Sequence, residues 1–363
     1  MYLAAAAAQF GRDLTFDVDR TESIIGAARR AGAGLLVLPD GTLGGYLTDL
    51  RDPIEPPADA SVAASVPDPA ELPPALDPDD PVFDRLAELA GELVVCLGYR
   101  EQAGALTYNA AVCLSGAGVH GRHRKVHLAP GERVSYAAGD RFAAFDTPMG
   151  RLGMLIDYDK TFPEAARALA EDGAQVLACL SAWPASLTDP ARRVVKDRQA
   201  RLFDLYDCAR AAENQVVLVS ANQTGRSGAL TFLGNAKVVG PGGDIRARTW
   251  AKAGLAVAEL ELAAEITRAR RVLHHLDERR PETYRPAPLV APAGRAEPVG
   301  PVEPAGLVEP AGLVEPAGRA EPAGLVEPAG LVEPAGRAEP AGLVEPAAAG
   351  ESTPAGESVV ADR

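Results

Sequence analysis

The sequence predicts an α/β fold in which helices cover a central sheet. Short, nearly continuous apolar runs bounded by Gly, Pro and Asp are typical of strands that are buried on both faces. Segments with helical apolar spacing alternate with several of these runs, which favours strand–helix units over an all-β or all-helical domain. The length of 363 residues is compatible with two domains, but the composition changes after Pro286. The fold prediction therefore applies to residues 1–284.

The predicted strands are the apolar runs, taken in order along the chain. Each is four to eight residues long, is rich in Ala, Val, Leu or Ile, and ends near a Gly, Pro, Asp or Ser. The opening run MYLAAAAAQF lacks a basic leader, so we interpret it as a buried first strand and not as a signal peptide. These strands are Leu3–Phe10, Gly34–Leu38, Leu93–Leu97, Ala110–Leu114, Gly153–Ile156, Val176–Leu180, Val216–Ser220 and Ala256–Leu260.

Four segments between these strands have helical spacing of their apolar residues. The first places apolar residues at positions 24, 25, 28 and 31, which lie on one face of a helix. The predicted helices are Arg20–Ala31, Val82–Ala90, Phe162–Asp172 and Gln199–Asn214. The segment Arg51–Asp80 is rich in Pro, Asp and Ala, so it is predicted to be a loop insertion and not a second domain.

Residues 285–363 are predicted to be a disordered tail. Between Glu303 and Pro346 the hexads EPAGLV and EPAGRA repeat, and a proline every six residues blocks helix continuation. This stretch has no aromatic residue and too few apolar residues to offset the entropy of ordering. Its five arginines and twelve acidic residues give a net charge of −7, which is half of the chain's −14. We expect an extended chain with polyproline-II character.

Charge and cysteine usage exclude several classes of function. A net charge of −14 disfavours nucleic-acid binding, because phosphate backbones repel an acidic surface. No apolar run approaches the ~18 residues that a membrane span needs. The four cysteines form no Cys-x-x-Cys pair, so buried free thiols are expected in place of disulfides or zinc ligands. Together these features predict a cytoplasmic protein without a cofactor or a metal.

Three segments place a polar residue directly after a buried strand. Asp40 follows the second predicted strand and precedes glycines that allow a sharp turn. Lys125 and Glu132 lie seven residues apart around a Pro-Gly pair. Asp157 and Asp159 end another strand, and period-two spacing predicts that they share a strand face. A single ionised carboxylate among apolar residues is costly, so we expect these charges to be paired.

These segments, in this order, resemble the nitrilase (carbon–nitrogen hydrolase) superfamily over nearly all of residues 1–284. The matching segments are Pro39-Asp40 to Gly45-Tyr46, Arg124-Lys125 to Glu132-Arg133, and Gly153 to Arg167, with later matches around Glu213-Asn214 and Asn222-Gln223. The combined match is specific, whereas any single piece is weak. The resemblance implies a four-layer α-β-β-α sandwich, which commonly forms homodimers through its helices.

The resemblance also implies a site, and this chain departs from it at two positions. The family uses a Glu base, a Lys that stabilises the oxyanion and a Cys nucleophile. Lys125 matches the Lys, whereas Asp40 occupies the Glu position and Asp157 the Cys position. The predicted catalytic residues are therefore Asp40, Lys125 and Asp157. The predicted substrate-binding residues are Tyr46, Glu132, Tyr158 and Trp183, and no metal ligand is predicted.

Several functions remain open at this point. An aspartate is ionised at neutral pH but is a poor nucleophile toward an amide, so ordinary amide or nitrile hydrolysis is disfavoured. The favoured hypothesis is a non-catalytic protein that binds a small molecule, such as an amine or an amide, or a partner. The alternatives are a hydrolase in which Asp157 acts as base or nucleophile beside Lys125, an inert ion pair that keeps a lost site folded, and a carboxylate metal site.

Overall fold

The computed structural model describes residues 1–51 and 72–284. In these ranges the strands are β1 Tyr2–Ala8, β2 Ala33–Val37, β3 Ala75–Leu76, β4 Val94–Ala103, β5 Leu106–Ser115, β6 Gly118–Arg124, β7 Phe145–Thr147, β8 Gly150–Ile156, β9 Val176–Ser181, β10 Val217–Gln223, β11 Arg226–Ser227, β12 Leu230–Thr231, β13 Lys237–Val239, β14 Ile245–Arg248 and β15 Gly254–Glu259. The helices are α1 Leu14–Arg30, α2 Pro81–Ala90, α3 Pro163–Glu171, α4 Arg198–Asn214 and α5 Leu262–Ala269.

Two of the sequence predictions fall partly or wholly on the remaining residues. The tail 285–363 lies outside the described residues, and so does most of the predicted loop Arg51–Asp80. The division into a domain of residues 1–284 and a tail therefore stays a prediction. Within the described part of this loop, β3 pairs in parallel with the end of β4. No helix of the described ranges is both long enough and apolar enough to cross a membrane.

The strands form two sheets that meet at the end of β1. One sheet has the order β6-β5-β4-β2-β1, with β15 antiparallel to β1, and the other has the order β7-β8-β9-β10, extended by β13 and β14. They are joined where Ala7 and Ala8 of β1 pair in parallel with Asn222 and Gln223 of β10. Strands β4, β2, β1, β10, β9 and β8 all run in one direction.

Three apolar clusters show that the layers are α-β-β-α. The first cluster lies between the sheets and includes Leu35, Cys96 and Met154. The second joins the outer face of the β1 sheet to α1 and α2, and the third joins the outer face of the β10 sheet to α3 and α4. The central strands therefore bury both faces, one against the opposite sheet and one against helices, whereas the edge strands β6, β7 and β14 are partly exposed. The predicted four-layer sandwich is confirmed.

Candidate functional site

The three predicted catalytic residues meet at one edge of the two sheets. Asp40 follows β2, Lys125 follows β6 and Asp157 follows β8. Strand β6 runs in the same direction as β4, because both are antiparallel to β5. All three residues therefore follow the carboxyl ends of strands that point the same way, and the fold brings them together.

Lys125 lies between two buried carboxylates. Its Nζ is 2.7 Å from Oε2 of Glu132 and 3.3 Å from Oδ2 of Asp157. Lys125 and Glu132 are fully buried, and Asp157 is 4% exposed. The short 3-10 turn Pro130–Glu132 positions the glutamate, whose Oε2 also accepts from the backbone N–H of Ala129 at 2.7 Å. A buried ammonium with two carboxylate partners is well compensated, and removing it would leave two orphaned charges.

Asp40 reaches this group through an asparagine. Among the described residues, Lys125 forms ion pairs with Glu132 and Asp157, and Asp40 is not one of its partners. Instead the Nδ2 of Asn109 donates to Oδ2 of Asp40 at 2.9 Å and to Oε1 of Glu132 at 3.1 Å. The hydroxyl of Tyr46 donates to the same glutamate oxygen at 2.8 Å. Asn109 thus links the Asp40 carboxyl to the ion-pair cluster.

Asp157 occupies a strained backbone position. It is the first residue of the 3-10 turn Asp157–Thr161 and has a φ of 49°, a left-handed conformation that is uncommon for a residue with a side chain. Its Oδ1 is buried and has no hydrogen-bond partner. Strain and unsatisfied polar atoms concentrate at functional sites, where the surrounding structure holds them in place.

Asp159 has a separate role, so the prediction that it shares a strand face with Asp157 is wrong. Strand β8 ends at Ile156, and the 3-10 turn directs the two aspartates to different places. Asp159 bonds with Nε2 of His123 at 3.1 Å and Nδ1 of His127 at 3.0 Å, and it accepts from the backbone N–H of Ile156. Although burial opposes ionisation, these bonds hold the pKa of Asp159 well below its usual range. Both histidines therefore anchor this turn.

Burial determines the protonation of the site carboxyls. It raises the pKa of Asp40 to about 8, and the charges of Asp157 and Glu132 add to this, while Lys125 and Asn109 oppose it. Burial also raises the pKa of Asp157 against the opposing charge of Lys125. The carboxylates raise the pKa of the Lys125 ammonium despite its burial. At neutral pH Lys125 is therefore charged and Asp40 is largely protonated.

A cavity of about 280 Å³ opens onto Asp157. Two predicted binding residues, Tyr158 and Trp183, line it, and so does Arg198 at the start of α4. The other two, Tyr46 and Glu132, do not line this cavity and lie in the buried cluster around Lys125. The indole of Trp183 is fixed by a bond of 3.0 Å from Nε1 to Oε1 of Gln199.

A second buried ionic cluster lies near Asp157, and the sequence reasoning missed it. The ammonium of Lys160 is 2.8 Å from Oδ1 of Asp207, and that of Lys237 is 2.8 Å from Oδ2 of the same carboxylate. All three side chains are fully buried. The ring of Phe203 lies under both ammoniums, 3.1 Å from Lys160 and 3.9 Å from Lys237. We call Lys160, Asp207 and Lys237 the buried triad.

The residues missed by the sequence reasoning left weak signals. Asn109 directly precedes an apolar strand run, where a polar side chain needs a partner. Lys160 lies three residues after Asp157 in the matched segment, and Lys237 directly precedes the apolar pair Val238-Val239. Within the described ranges, no group of three or more His, Cys, Asp or Glu side chains is arranged to hold a metal ion.

The chain is similar to known proteins along most of its described length. The carbon-nitrogen hydrolase family model matches residues 3–270. A probable nitrilase of Schizosaccharomyces pombe is 33% identical over 173 residues, which are 46% of this chain and 59% of that protein. A nitrilase of Pyrococcus abyssi is 30% identical over 228 residues, which are 62% of this chain and 76% of that protein. The crystal structure of an amidase from Nesterenkonia sp. aligns with a TM-score of 0.59 at 23% identity, over 78% of this chain and 94% of that chain.

Proposed function

Because the chain belongs to the carbon-nitrogen hydrolase family, we propose that it is a non-catalytic member that binds a small amine or amide. The observation that carries this proposal is the carboxylate of Asp157, which is ion-paired with Lys125 at 3.3 Å on a left-handed turn beside a cavity. In this proposal Asp157 occupies the position that the family resemblance gives to a reactive thiol.

The chemistry of the two aspartates argues against amide hydrolysis through an acyl-enzyme. Attack by Asp157 on an amide would form a carboxylic anhydride and expel an amine, which is energetically uphill. Asp40 has a pKa raised to about 8 by burial, so at neutral pH it holds the proton that a general base would have to accept. Four cysteines are present, but Cys179 is buried and its thiol pKa is raised to about 12, so it is a poor substitute nucleophile.

The same features suit ligand binding. The unpartnered Oδ1 of Asp157 is an acceptor that a ligand N–H group would satisfy. Apolar and aromatic side chains line the cavity together with several polar groups, a combination that is typical of small-molecule sites. An amine, a guanidine or a primary amide offers such N–H donors.

The alternative is a hydrolase with a changed mechanism. One observation favours it: Lys125 lies within 3.3 Å of Asp157, where its ammonium can stabilise an oxyanion that forms next to this carboxylate. In that mechanism Asp157 acts as the general base on a water molecule, or as the nucleophile toward an ester with a good leaving group.

A panel of amides, N-carbamoyl compounds, esters and amines separates the two functions when turnover and melting temperature are measured together. We expect a rise in the melting temperature with an amine or amide and no release of ammonia, because a ligand that binds only the folded state stabilises it. The Asp157→Asn variant should lose this rise. Turnover that depends on both Asp157 and Lys125 would support the hydrolase instead.

The same panel is then run on a variant that restores the family residues, Asp157→Cys with Asp40→Glu. Amidase activity in this double variant would mean that the acyl pocket is intact and only its nucleophile was exchanged. A folded double variant that neither turns over nor binds any panel member would contradict the proposal of a preserved pocket.

We also propose that the protein is a cytoplasmic homodimer. The resemblance supports dimerisation through helices. The four free cysteines agree with a reducing compartment. Light scattering after gel filtration tests the dimer, and cell fractionation tests the location.

A further inference from the structure

A second and larger cavity lies on the opposite side of the start of α4. It has a volume of about 430 Å³ and is bounded by the first turns of α4, by Leu233 and Asn235 before β13, and by the end of β14. Its lining includes the polar and aromatic residues Lys196, Arg198, Arg201, Asn235, Arg248 and Trp250. We call it the Trp250 groove. Arg198 lines both this groove and the Asp157 cavity.

The backbone of this groove is strained at two positions. Asn235 has a φ of 57° and Trp250 a φ of 55°, and the backbone N–H of Asn235 donates to the carbonyl of Trp250. A bulky residue such as Trp rarely adopts the left-handed conformation. The strain holds Trp250 with 58% of its surface exposed, although burying an indole is favourable. Strain at an exposed aromatic residue beside a cavity points to a binding role.

The polar groups of the groove are only partly satisfied. The guanidinium of Arg248 lies 4.4 Å from the centre of the Trp250 ring, and its Nη2 is 2.9 Å from Oδ2 of Asp204. Asn235 is only 7% exposed, and its Nδ2 donates a hydrogen bond to Oδ1 of Asp204 at 2.9 Å. Its Oδ1 is buried without a partner. The groove thus contains an acceptor that still needs a donor.

The rim of the groove is positively charged. Lys196, Arg198 and Arg201 are exposed, and none of them forms an ion pair or a side-chain hydrogen bond within the described ranges. The acidic residues of the groove are already engaged: Asp197 caps α4 by accepting from the N–H of Gln199, and Asp204 binds Arg248 and Lys237. The cations therefore favour an anionic ligand.

We propose that the Trp250 groove binds a small aromatic anion that carries an N–H donor, which is the chemistry of a nucleotide or of an aromatic amino acid–like carboxylate. The aromatic ring would stack on Trp250, the anion would contact the rim cations, and the donor would satisfy Asn235. The groove volume is in the range of small-molecule sites. This site is separate from the function proposed for Asp157.

Isothermal titration of the full chain with three probes tests this site. The probes are AMP, 4-aminobenzoate and adenosine, which lacks the anionic group. We expect AMP or 4-aminobenzoate to bind at least tenfold more tightly than adenosine. A preference for AMP would identify the source as a nucleotide, and a preference for 4-aminobenzoate would identify an aromatic acid.

Variants then locate the binding. Trp250→Ala and Arg201→Gln should each weaken the bound probe at least tenfold, and Asp157→Asn should leave its affinity unchanged. The matched controls Phe16→Ala, an exposed aromatic, and Arg30→Gln, an exposed cation, should have no effect. The proposal is overturned if neither anion binds in the millimolar range, if adenosine binds as tightly, or if both groove variants retain full affinity. Arg201 is exposed, so its variant remains a valid test should Trp250→Ala fail to fold.

Discussion

Lys125 is the residue on which the charge balance of the buried site depends. Its ammonium contacts both Glu132 and Asp157, and it is fully buried. We expect Lys125→Met to lower the free energy of unfolding by about 3–5 kcal/mol, because it leaves buried carboxylates without a counter-charge. Urea unfolding measures this change. The exposed Lys252 provides a control, since Lys252→Met should change stability by no more than about 0.5 kcal/mol.

For single residues, the sequence predicted which side chains form the site better than it predicted how they are arranged. The matched segments placed Asp40, Lys125 and Asp157 in one site, and the structure brings them together at one edge of the sheets. The sequence could not show that the side chain of Asp159 turns away toward His123, because its direction depends on where β8 ends. Period-two spacing holds only while the chain stays extended, and the 3-10 turn after Ile156 breaks it.

Gly98 of β4 lies against the backbone of the segment that carries Asp40. A Cβ on Gly98 would lie 2.8 Å from Cα of Asp40, 2.8 Å from the backbone N of Gly41 and 3.1 Å from the carbonyl O of Pro39. Because these are backbone atoms, Gly98→Ala has to displace the segment that carries Asp40. We expect a loss of about 1–3 kcal/mol of stability in urea unfolding. At Gly11 a Cβ meets nothing within 4 Å, so Gly11→Ala is the matched control. Equal stabilities for the two variants would contradict this account.

Element boundaries were the less predictable part of the fold. The helix predicted from Arg20 begins at Leu14, because Asp13 caps it by accepting from the N–H of Phe16. Helix α5 at Leu262–Ala269 was not predicted, since its eight residues span only about two turns and show little of a repeating apolar pattern. Strands β6 and β14 were also missed, because their alternation includes Arg and His side chains that lie at partly exposed positions.

For the whole molecule, Asp40 makes stability depend on pH. Its pKa is about 8 in the folded chain and about 4 in an unfolded one. Between about pH 4 and pH 8 the folded chain holds a proton on Asp40 that the unfolded chain has lost. This contribution to the free energy of unfolding therefore falls as the pH rises, by up to about 1.4 kcal/mol per pH unit. Below pH 4 and above pH 8 it is constant.

Urea unfolding at pH 5, 6, 7 and 8 tests this dependence. The Asp40→Asn variant cannot titrate, so the stability of the parent chain relative to the variant should fall steadily over this range. Asp140→Asn, at an exposed position, should leave the slope unchanged. A parent chain and an Asp40→Asn variant with parallel pH profiles would show that Asp40 is ionised throughout.

The layered architecture of the described domain could be predicted from the sequence. Apolar strands that alternate with amphipathic helices require layers on both sides of a sheet, and the resemblance supplied the second sheet. What the pattern could not provide was the contact at which the two sheets join, because only Ala7 and Ala8 of β1 pair with β10 there. Alanines in a run carry no signal for which of them changes partner.

The buried triad restricts which amino-acid substitutions this protein can accept during evolution. Replacing Asp207 alone would leave Lys160 and Lys237 as two buried like charges, with only the partly exposed Asp204 still paired with Lys237. Replacing either lysine would remove half of the compensation that the buried triad gives to Asp207. Three well-packed apolar side chains would serve the fold about as well, yet no single substitution leads there without passing through a destabilised intermediate. We therefore expect related chains to contain all of these charges or none.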